Sequence, residues 1–240
     1  MQKQPKICII IPCYNPLPDW GKAFAFKYFE VSEMMRQIGL SAEITIINDG
    51  YPNGQKPSVI DEMPALIPGC KIIDYEQNRG KGYALRIGVA ASTADYYLVT
   101  DADWPYTTES MVAIAKTLVE KGGIAAGNRD MAYYKNVPAF RQLLSKGLRV
   151  MLRYLLRLQV TDSQCGLKGF DNAGRTIFLR TRIDRFLFDL EFLLLARKRV
   201  PVTPVTVVLR KGVTFSKVGL KIIATEGWNF LKLFVRQLWM

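Results

Sequence analysis

The chain contains no histidine. That absence removes Ser-His-Asp and Cys-His catalysis and every histidine-bearing zinc site, so acid–base or metal chemistry has to rest on carboxylates. Cysteine is scarce as well. Cys8, Cys13, Cys70 and Cys165 form no C-x-x-C pair and no framework spacing, so reduced, unpaired thiols are expected. No apolar run approaches the roughly 18 residues of a membrane span. The best stretch, "FLFDLEFLLLA", is interrupted by Asp189 and Glu191. The opening "MQKQPKICIII" reads as a first strand rather than a signal peptide, and a cytoplasmic location is expected. The sequence shows no internal repeat, low-complexity tract or interdomain linker.

What is present is an ordinary globular composition with an uneven charge. Hydrophobic residues make up 49% and charged residues 22% of the 240 positions, enough for one α/β domain with a substantial core. The net charge is +12, but residues 1–128 carry 12 Lys+Arg against 14 Asp+Glu, whereas residues 129–240 carry 21 against 7. One half is nearly neutral. The other seeks anions: phosphates, nucleic acid or acidic lipid.

The first half alternates strand-like and helix-like segments. "KICIIIPCY", "AEITIINDG", "CKIIDYE", "DYYLVTDAD" and "GIAAGNRD" read as strands. Helical spacing runs from Trp20 to Ile38, through "NRGKGYALRIGVAAS", and from Thr108 to Lys121 ahead of Gly122–Gly123. Strands separated by helices imply a mostly parallel sheet covered on both faces, with ligands at the carboxyl ends of its strands. The polar ends "PCYN", "NDG", "DAD" and "GNR" then converge there.

Two segments suggest chemistry. If "DAD" is extended, Asp101 and Asp103 share one face while Ala102 turns away. Two carboxylates with no imidazole or thiolate beside them suit Mg²⁺ or Mn²⁺, with a nucleotide diphosphate supplying the remaining ligands. The plainer reading is an acidic turn that caps the next helix. "NRGKG", residues 78–82, combines glycines, a helix start and two cations, a set that favours phosphate. It is neither a dinucleotide fingerprint nor a Walker A sequence, and a simple turn before a helix is its plainer reading.

Beyond residue 129 the pattern changes. From Ala139 to Leu158 there is no acidic residue, and Arg141, Ser145, Arg149, Arg153 and Arg157 recur at four-residue steps with leucines opposite. Such a helix either lies on an anionic membrane surface or is a core helix with a solvated charged face. A second amphipathic segment, Ser216 to Met240, carries Lys217, Lys221, Lys232 and Arg236 with Trp228, Phe234 and Trp239. Two such segments favour peripheral membrane contact.

"IPCYN", "INDG", "NRGKGYALRIGV", "VTDADWPY", "AAGNR", "FRQLLSKG" and "VTDSQCGLKGF" occur in the order and rough spacing of family 2 glycosyltransferases with the GT-A fold. The chain resembles most the branch that glycosylates dolichol phosphate or polyprenyl phosphate, from about Ile9 to about Lys217. "SQCGLKGF" followed by "FLFDLEFLLLARK" carries this narrower likeness. The resemblance implies a single α/β domain over 1–240: a nucleotide-sugar half (1–128), an acceptor half (129–215) and a C-terminal amphipathic helix (216–240).

It also implies roles. Pro12, Tyr14 and Asn15 match the first nucleotide loop, Asp49 the carboxylate that reads the base, and Arg129 a phosphate contact. Asp101 and Asp103 match the metal and diphosphate motif, with Ala102 and Lys81 beside the diphosphate. Arg141 and Ser145 match the pair that holds the lipid phosphate, and Arg210 and Lys217 the last basic contacts. Asp189 is expected to brace the fold, while Glu191 either braces it or binds sugar hydroxyls. Two departures stand out. Asn48 replaces one of two acidic residues, and "WPY" follows "DAD" where a glutamine metal ligand is usual.

The implied reaction moves a hexose, with inversion, from a UDP- or GDP-sugar to a polyprenyl phosphate, assisted by Mg²⁺ or Mn²⁺. An already anionic acceptor needs no histidine base, which suits this composition. The expected setting is the cytoplasmic face of a membrane, and the resemblance leaves room for a separate membrane subunit. The alternatives are transfer to a saccharide hydroxyl, an inactive relative, or nucleic-acid binding by the basic half. Nucleic acid is not expected, because the basic residues accompany leucine-rich helices rather than exposed aromatic platforms.

Overall fold

The computed structural model describes residues 4–129 and 162–210. Its centre is a seven-stranded sheet of order β3-β2-β1-β4-β6-β5-β7. The strands are β1 Lys6–Cys13, β2 Ser41–Asp49, β3 Lys71–Tyr75, β4 Tyr96–Val99, β5 Ile124–Arg129, β6 Lys168–Asp171 and β7 Val202–Val207. Helices α1 Trp20–Gln37, α2 Ser58–Leu66, α3 Lys81–Ala91 and α4 Thr108–Lys121 join the first five, and α5 Asn172–Phe178 and α6 Phe188–Ala196 follow β6.

The five expected strands and three expected helices form, each within a few residues of its expected limits. The pairings β1–β2, β2–β3, β1–β4 and β5–β7 are parallel, and β6 lies antiparallel between β4 and β5. The sheet is therefore mixed but mostly parallel. Both of its faces are covered. Ile7, Ile9 and Ile11 point into a core completed by Phe24, Val31, Met63, Met111 and Leu118. Cys8 and Ile10 point the other way, into a core with Leu85, Phe170, Phe178, Phe188 and Phe192. A strand buried on both faces has to read as a continuous apolar run, as "ICIII" does.

"FLFDLEFLLLA" becomes α6, nearly all of it buried. Its length and its two carboxylates mark a core helix, and among the described residues no helix is long and apolar enough to cross a membrane. The basic segment 139–158 and the C-terminal segment 216–240 lie outside the described residues.

The antiparallel strand matters most for function. Register pairs Val99 with Lys168, so the chain entering β6 arrives over the carboxyl end of β4. Residues 162–167 thereby join the sheet edge where β1, β2, β4 and β5 end. Asp171 secures the far end of β6: its carboxylate caps α5 through the Gly174 amide at 2.9 Å and accepts the Gly123 amide at 2.7 Å.

All four cysteines are free thiols, and Cys8, Cys13 and Cys165 are buried. Burial pushes each of these thiols above its ordinary range, Cys13 to about 12, so they hold little reactive thiolate near neutrality. The native protein is expected to expose only Cys70 to a disulfide reagent, and unfolding in urea to release all four thiols. Stoichiometric reaction of a second thiol in the native state would contradict the buried placement.

Candidate active site at the β1–β4 crevice

The strand order runs 3-2-1 and then turns to 4, which makes the gap between β1 and β4 a topological switch point. Pro12, Cys13 and Tyr14 leave β1 on one side of this crevice, and Thr100 and Asp101 leave β4 on the other.

The paired aspartates do not sit on an extended strand. β4 ends at Val99, and the Trp104 amide donates to the Asp101 carbonyl at 3.1 Å, closing a turn. Trp104 takes φ +49° to complete it. The alternation that would align the two carboxylates therefore stops before they begin, and a tight turn brings them together instead. Nor do they cap the next helix. Thr107 is the N-cap of α4, its hydroxyl accepting the Ser110 amide at 3.3 Å. The indole N–H of Trp20 donates to the Ala102 carbonyl at 3.0 Å and the Lys27 ammonium to the Asp103 carbonyl at 3.2 Å, so α1 holds the turn from outside.

Each carboxylate has a different environment. Asp101 pairs with Lys81 at 2.5 Å. Asp103 is exposed at the surface, and partial desolvation by the protein around it, followed by the like charge of Asp101, holds its carboxyl above the ordinary range. Burial pulls the Lys81 ammonium downward, but Asp101 and Asp189 more than offset it and the net shift is upward. Asp189, at the start of α6, is itself raised by burial against the pull of Lys168 and Lys81. Behind it Lys168 is fully buried and donates to Asp189 at 2.7 Å and to the carbonyls of Ser163, at 3.1 Å, and Cys165, at 2.5 Å. The result is an alternating row, Lys168, Asp189, Lys81, Asp101, running from the interior to the crevice.

Gly166 closes over this row. A Cβ placed there would lie 2.5 Å from the Asp101 carboxylate and 3.3 Å from the Lys81 ammonium. Only a residue without a side chain lets the loop come so close.

Asp49 occupies the neighbouring strand end but is committed to the protein. One oxygen accepts from the Tyr75 hydroxyl and the Arg79 amide, both at 2.8 Å, and the other from the Asn78 side chain at 3.1 Å and the Gly80 amide at 2.9 Å. A carboxylate offers about four acceptor positions, so direct reading of a base would require these bonds to be given up. In this structure Asp49 braces residues 78–80 and also lines the crevice. The anion site expected at the start of α3 is likewise filled, since the amides of Gly82 and Tyr83 donate to the Asp184 carbonyl at 2.8 and 3.2 Å. What the "NRGKG" segment offers a phosphate is the Lys81 side chain. Asn48 bonds Asp74 at 2.9 Å, so a half-buried carboxylate on β3 stands beside the missing acidic residue of β2.

A cavity of about 300 Å³ opens here, lined by Pro12, Tyr14, Asp49, Lys81 and Asp101 among the expected residues. Asn15, at φ +51°, adjoins Tyr14 without lining it. Arg129 and Arg210 are placed elsewhere. Arg129 forms a fork on Asp162 with 2.6 and 2.7 Å bonds. Arg210 donates to the Tyr106 carbonyl at 2.9 Å and the Thr108 hydroxyl at 2.8 Å, strapping down the segment after "DAD". Arg141, Ser145 and Lys217 lie outside the described residues.

The model of the glycosyl transferase family 2 matches residues 8–184. The chain belongs to this family. Dolichyl-phosphate beta-glucosyltransferases from Dictyostelium discoideum and Mus musculus are 30% and 31% identical to it, each over 84% of this chain and over 65% and 66% of their own length. The human protein of the same name is 27% identical over the same share of this chain. The chain thus spans about two thirds of the length of these relatives. Among solved structures, the mannosyl-3-phosphoglycerate synthase of Rubrobacter xylanophilus superposes with TM-score 0.66 at 14% identity, covering 98% of this chain and 74% of that one. The glucosyl-3-phosphoglycerate synthase of Mycobacterium tuberculosis, solved with UDP, gives 0.62 at 15% identity over 97% and 79%. These likenesses establish the GT-A fold.

Within the family 2 frame, the "WPY" departure is a packing feature. Trp104 is 1% exposed against Phe24, and the buried Tyr106 hydroxyl accepts the Gly166 amide at 3.0 Å and the Cys165 thiol at 3.3 Å. The segment after "DAD" supports the loop that covers Asp101. Glu191 braces as well, its carboxylate accepting the amides of Arg182 at 2.7 Å and Ile183 at 2.8 Å. Sequence reasoning overlooked Lys27, Asp74, Arg185 and Phe186. The first two had no motif to mark them, and the last two reach the cavity on a loop remote in sequence.

Two outcomes test this arrangement. Gly166→Ala should cost about 1–3 kcal/mol of stability through overpacking, and Asp101→Ala should relieve part of that cost in the double variant, measured by urea unfolding. Purely additive losses would separate Gly166 from Asp101. Asp189→Asn, which leaves Lys168 buried without its counter-charge, should destabilise by about 3–5 kcal/mol.

Proposed function

We propose that this family 2 domain transfers a hexose from a nucleoside-diphosphate sugar to a polyprenyl phosphate, with inversion at the anomeric carbon. The observation that carries this reading is the extent of the likeness: relatives named dolichyl-phosphate beta-glucosyltransferase align over 84% of the chain. In the reaction a phosphate oxygen of the acceptor attacks C1 from the face opposite the diphosphate. The C1–O bond to the diphosphate breaks, and the nucleoside diphosphate leaves with the electron pair. No proton has to be removed from an ionised phosphate, which agrees with a chain lacking histidine.

The donor occupies the cavity beside Tyr14 and Pro12, its diphosphate near Lys81 and the Asp101–Asp103 turn. Mg²⁺ and Mn²⁺ fit the donor set. Among the described residues no group of three or more acidic, cysteine or histidine side chains gathers, but Mg²⁺ is commonly held by one or two carboxylates together with substrate phosphates. Asp103 and Asp101 would hold the ion, which supplies positive charge against the departing diphosphate. Lys81 keeps Asp101 oriented and adds a second positive charge. Asp49 serves the donor through the 78–80 loop, and Arg129 through the Asp162 loop. Arg141, Ser145 and Lys217 hold the acceptor phosphate in this reading, and Arg210 steadies the turn beside it. The basic segment 139–158 brings the domain to an anionic membrane surface.

Purified protein with Mn²⁺ is expected to move hexose from a UDP- or GDP-sugar onto short-chain polyprenyl phosphate, detected by mass spectrometry of the lipid. Transfer to saccharide acceptors alone would overturn the reading. Asp103→Asn should lower turnover about 100-fold or more, as loss of one transition-state contact does elsewhere. Its unfolding midpoint should not change, because the side chain is exposed. Thermal-shift titration with UDP and GDP identifies the base, since stabilisation follows affinity.

A further inference from the structure

Among the described residues, the Arg185 side chain at the cavity has no hydrogen-bonding or ion-pair partner. Arg185 lines the cavity next to Phe186, facing the same space as Lys81 and Asp101. The carboxylates around it are already engaged, Asp49 by four donors and Asp101 by Lys81.

The backbone that presents Arg185 is held from three directions. Glu191 accepts the amides of Arg182 and Ile183. The Asp184 carbonyl accepts two amides from the first turn of α3. Arg86 donates to the Ile183 carbonyl at 2.8 Å and to the Asp184 carboxylate. Gly80, at φ +103°, completes the seat: a Cβ there would lie 2.6 Å from the Asp184 carbonyl and 3.1 Å from Cγ of Arg185. A loop fixed this firmly, carrying at the edge of a cavity an exposed arginine with no partner among the described residues, is prearranged for an anion. Little ordering remains to be done when the anion binds.

We infer that Arg185 is a phosphate ligand on the donor side of the crevice, holding the diphosphate of the nucleoside-diphosphate sugar opposite Lys81. This rests on the function proposed above and assigns a specific residue within it. Guanidinium–phosphate contacts are short, charge-assisted and often bidentate, which an ammonium cannot reproduce.

The test is calorimetric titration of UDP and of GDP into the full chain, with Mn²⁺ and again with EDTA, followed by steady-state kinetics with polyprenyl phosphate. Arg185→Met retains an apolar stem against Gly80 but removes the charge. It should weaken the nucleoside diphosphate that wild type binds by about 10- to 100-fold in both buffers, the range of a hydrogen bond to a charged group. Arg185→Lys should recover part of the loss, and the KM for polyprenyl phosphate should stay within about threefold of wild type. Unchanged nucleotide affinity in Arg185→Met would overturn the inference. So would a selective rise in the polyprenyl-phosphate KM, which would put the arginine on the acceptor phosphate. Failure of wild type to bind either nucleotide would instead remove the proposed function itself.

Discussion

Lys168 carries a full charge at a position with no exposure to water, and the crevice is organised around satisfying it. An ammonium in that setting needs a counter-charge and acceptors for its remaining protons. Asp189 supplies the first, and the carbonyls of Ser163 and Cys165 supply the rest. One side chain thereby ties the loop before β6 to the start of α6. The same loop brings Gly166 against Asp101, and its Asp162 takes both arms of Arg129. The placement of the carboxylate pair thus depends on a lysine that is itself out of reach of any substrate.

From that anchor, charge alternates outward through Asp189 and Lys81 to Asp101. The inner members of this row are desolvated and compensated by their neighbours, so the loss of one leaves another unpaired. The row also separates the roles of the two aspartates. Asp101 faces an internal cation and is oriented by it. Asp103, one turn residue further on, remains accessible while feeling the negative charge of its partner. In the proposed reaction, one oriented and one accessible carboxylate would meet an ion and a diphosphate with little rearrangement, the condition under which electrostatic stabilisation is most effective.

Support in this protein comes largely from residues that look functional in one dimension. Asp49 and Glu191 use their carboxylates on backbone amides, Arg129 and Arg210 use their guanidinium groups on neighbouring loops, and "WPY" packs beneath Gly166. All of them hold the segments 78–80, 101–108, 162–167 and 182–186 in register around the cavity. The residues left facing the cavity or solvent are fewer: Tyr14, the Lys81–Asp101 pair, Asp103 and the arginine on the 182–186 loop.

Local pattern alone determined the strands β1 to β5 and the helices α1, α3 and α4, because apolar periodicity and glycine boundaries are properties of neighbouring residues. It also determined that polar strand ends would meet at one edge of a mostly parallel sheet. The absence of histidine leaves carboxylates as the groups for acid–base or metal chemistry. The tertiary structure alone decided the rest. An antiparallel β6 carries no mark in its four residues, yet its direction delivers Gly166 to Asp101. The turn at Trp104 replaced the strand geometry expected for "DAD", since the reach of β4 is set by its pairing partners. Whether a charged side chain acts on substrate or on its own backbone depends on which donors and acceptors the fold places within 3 Å, and some of those come from residues as far as 104 positions away along the chain.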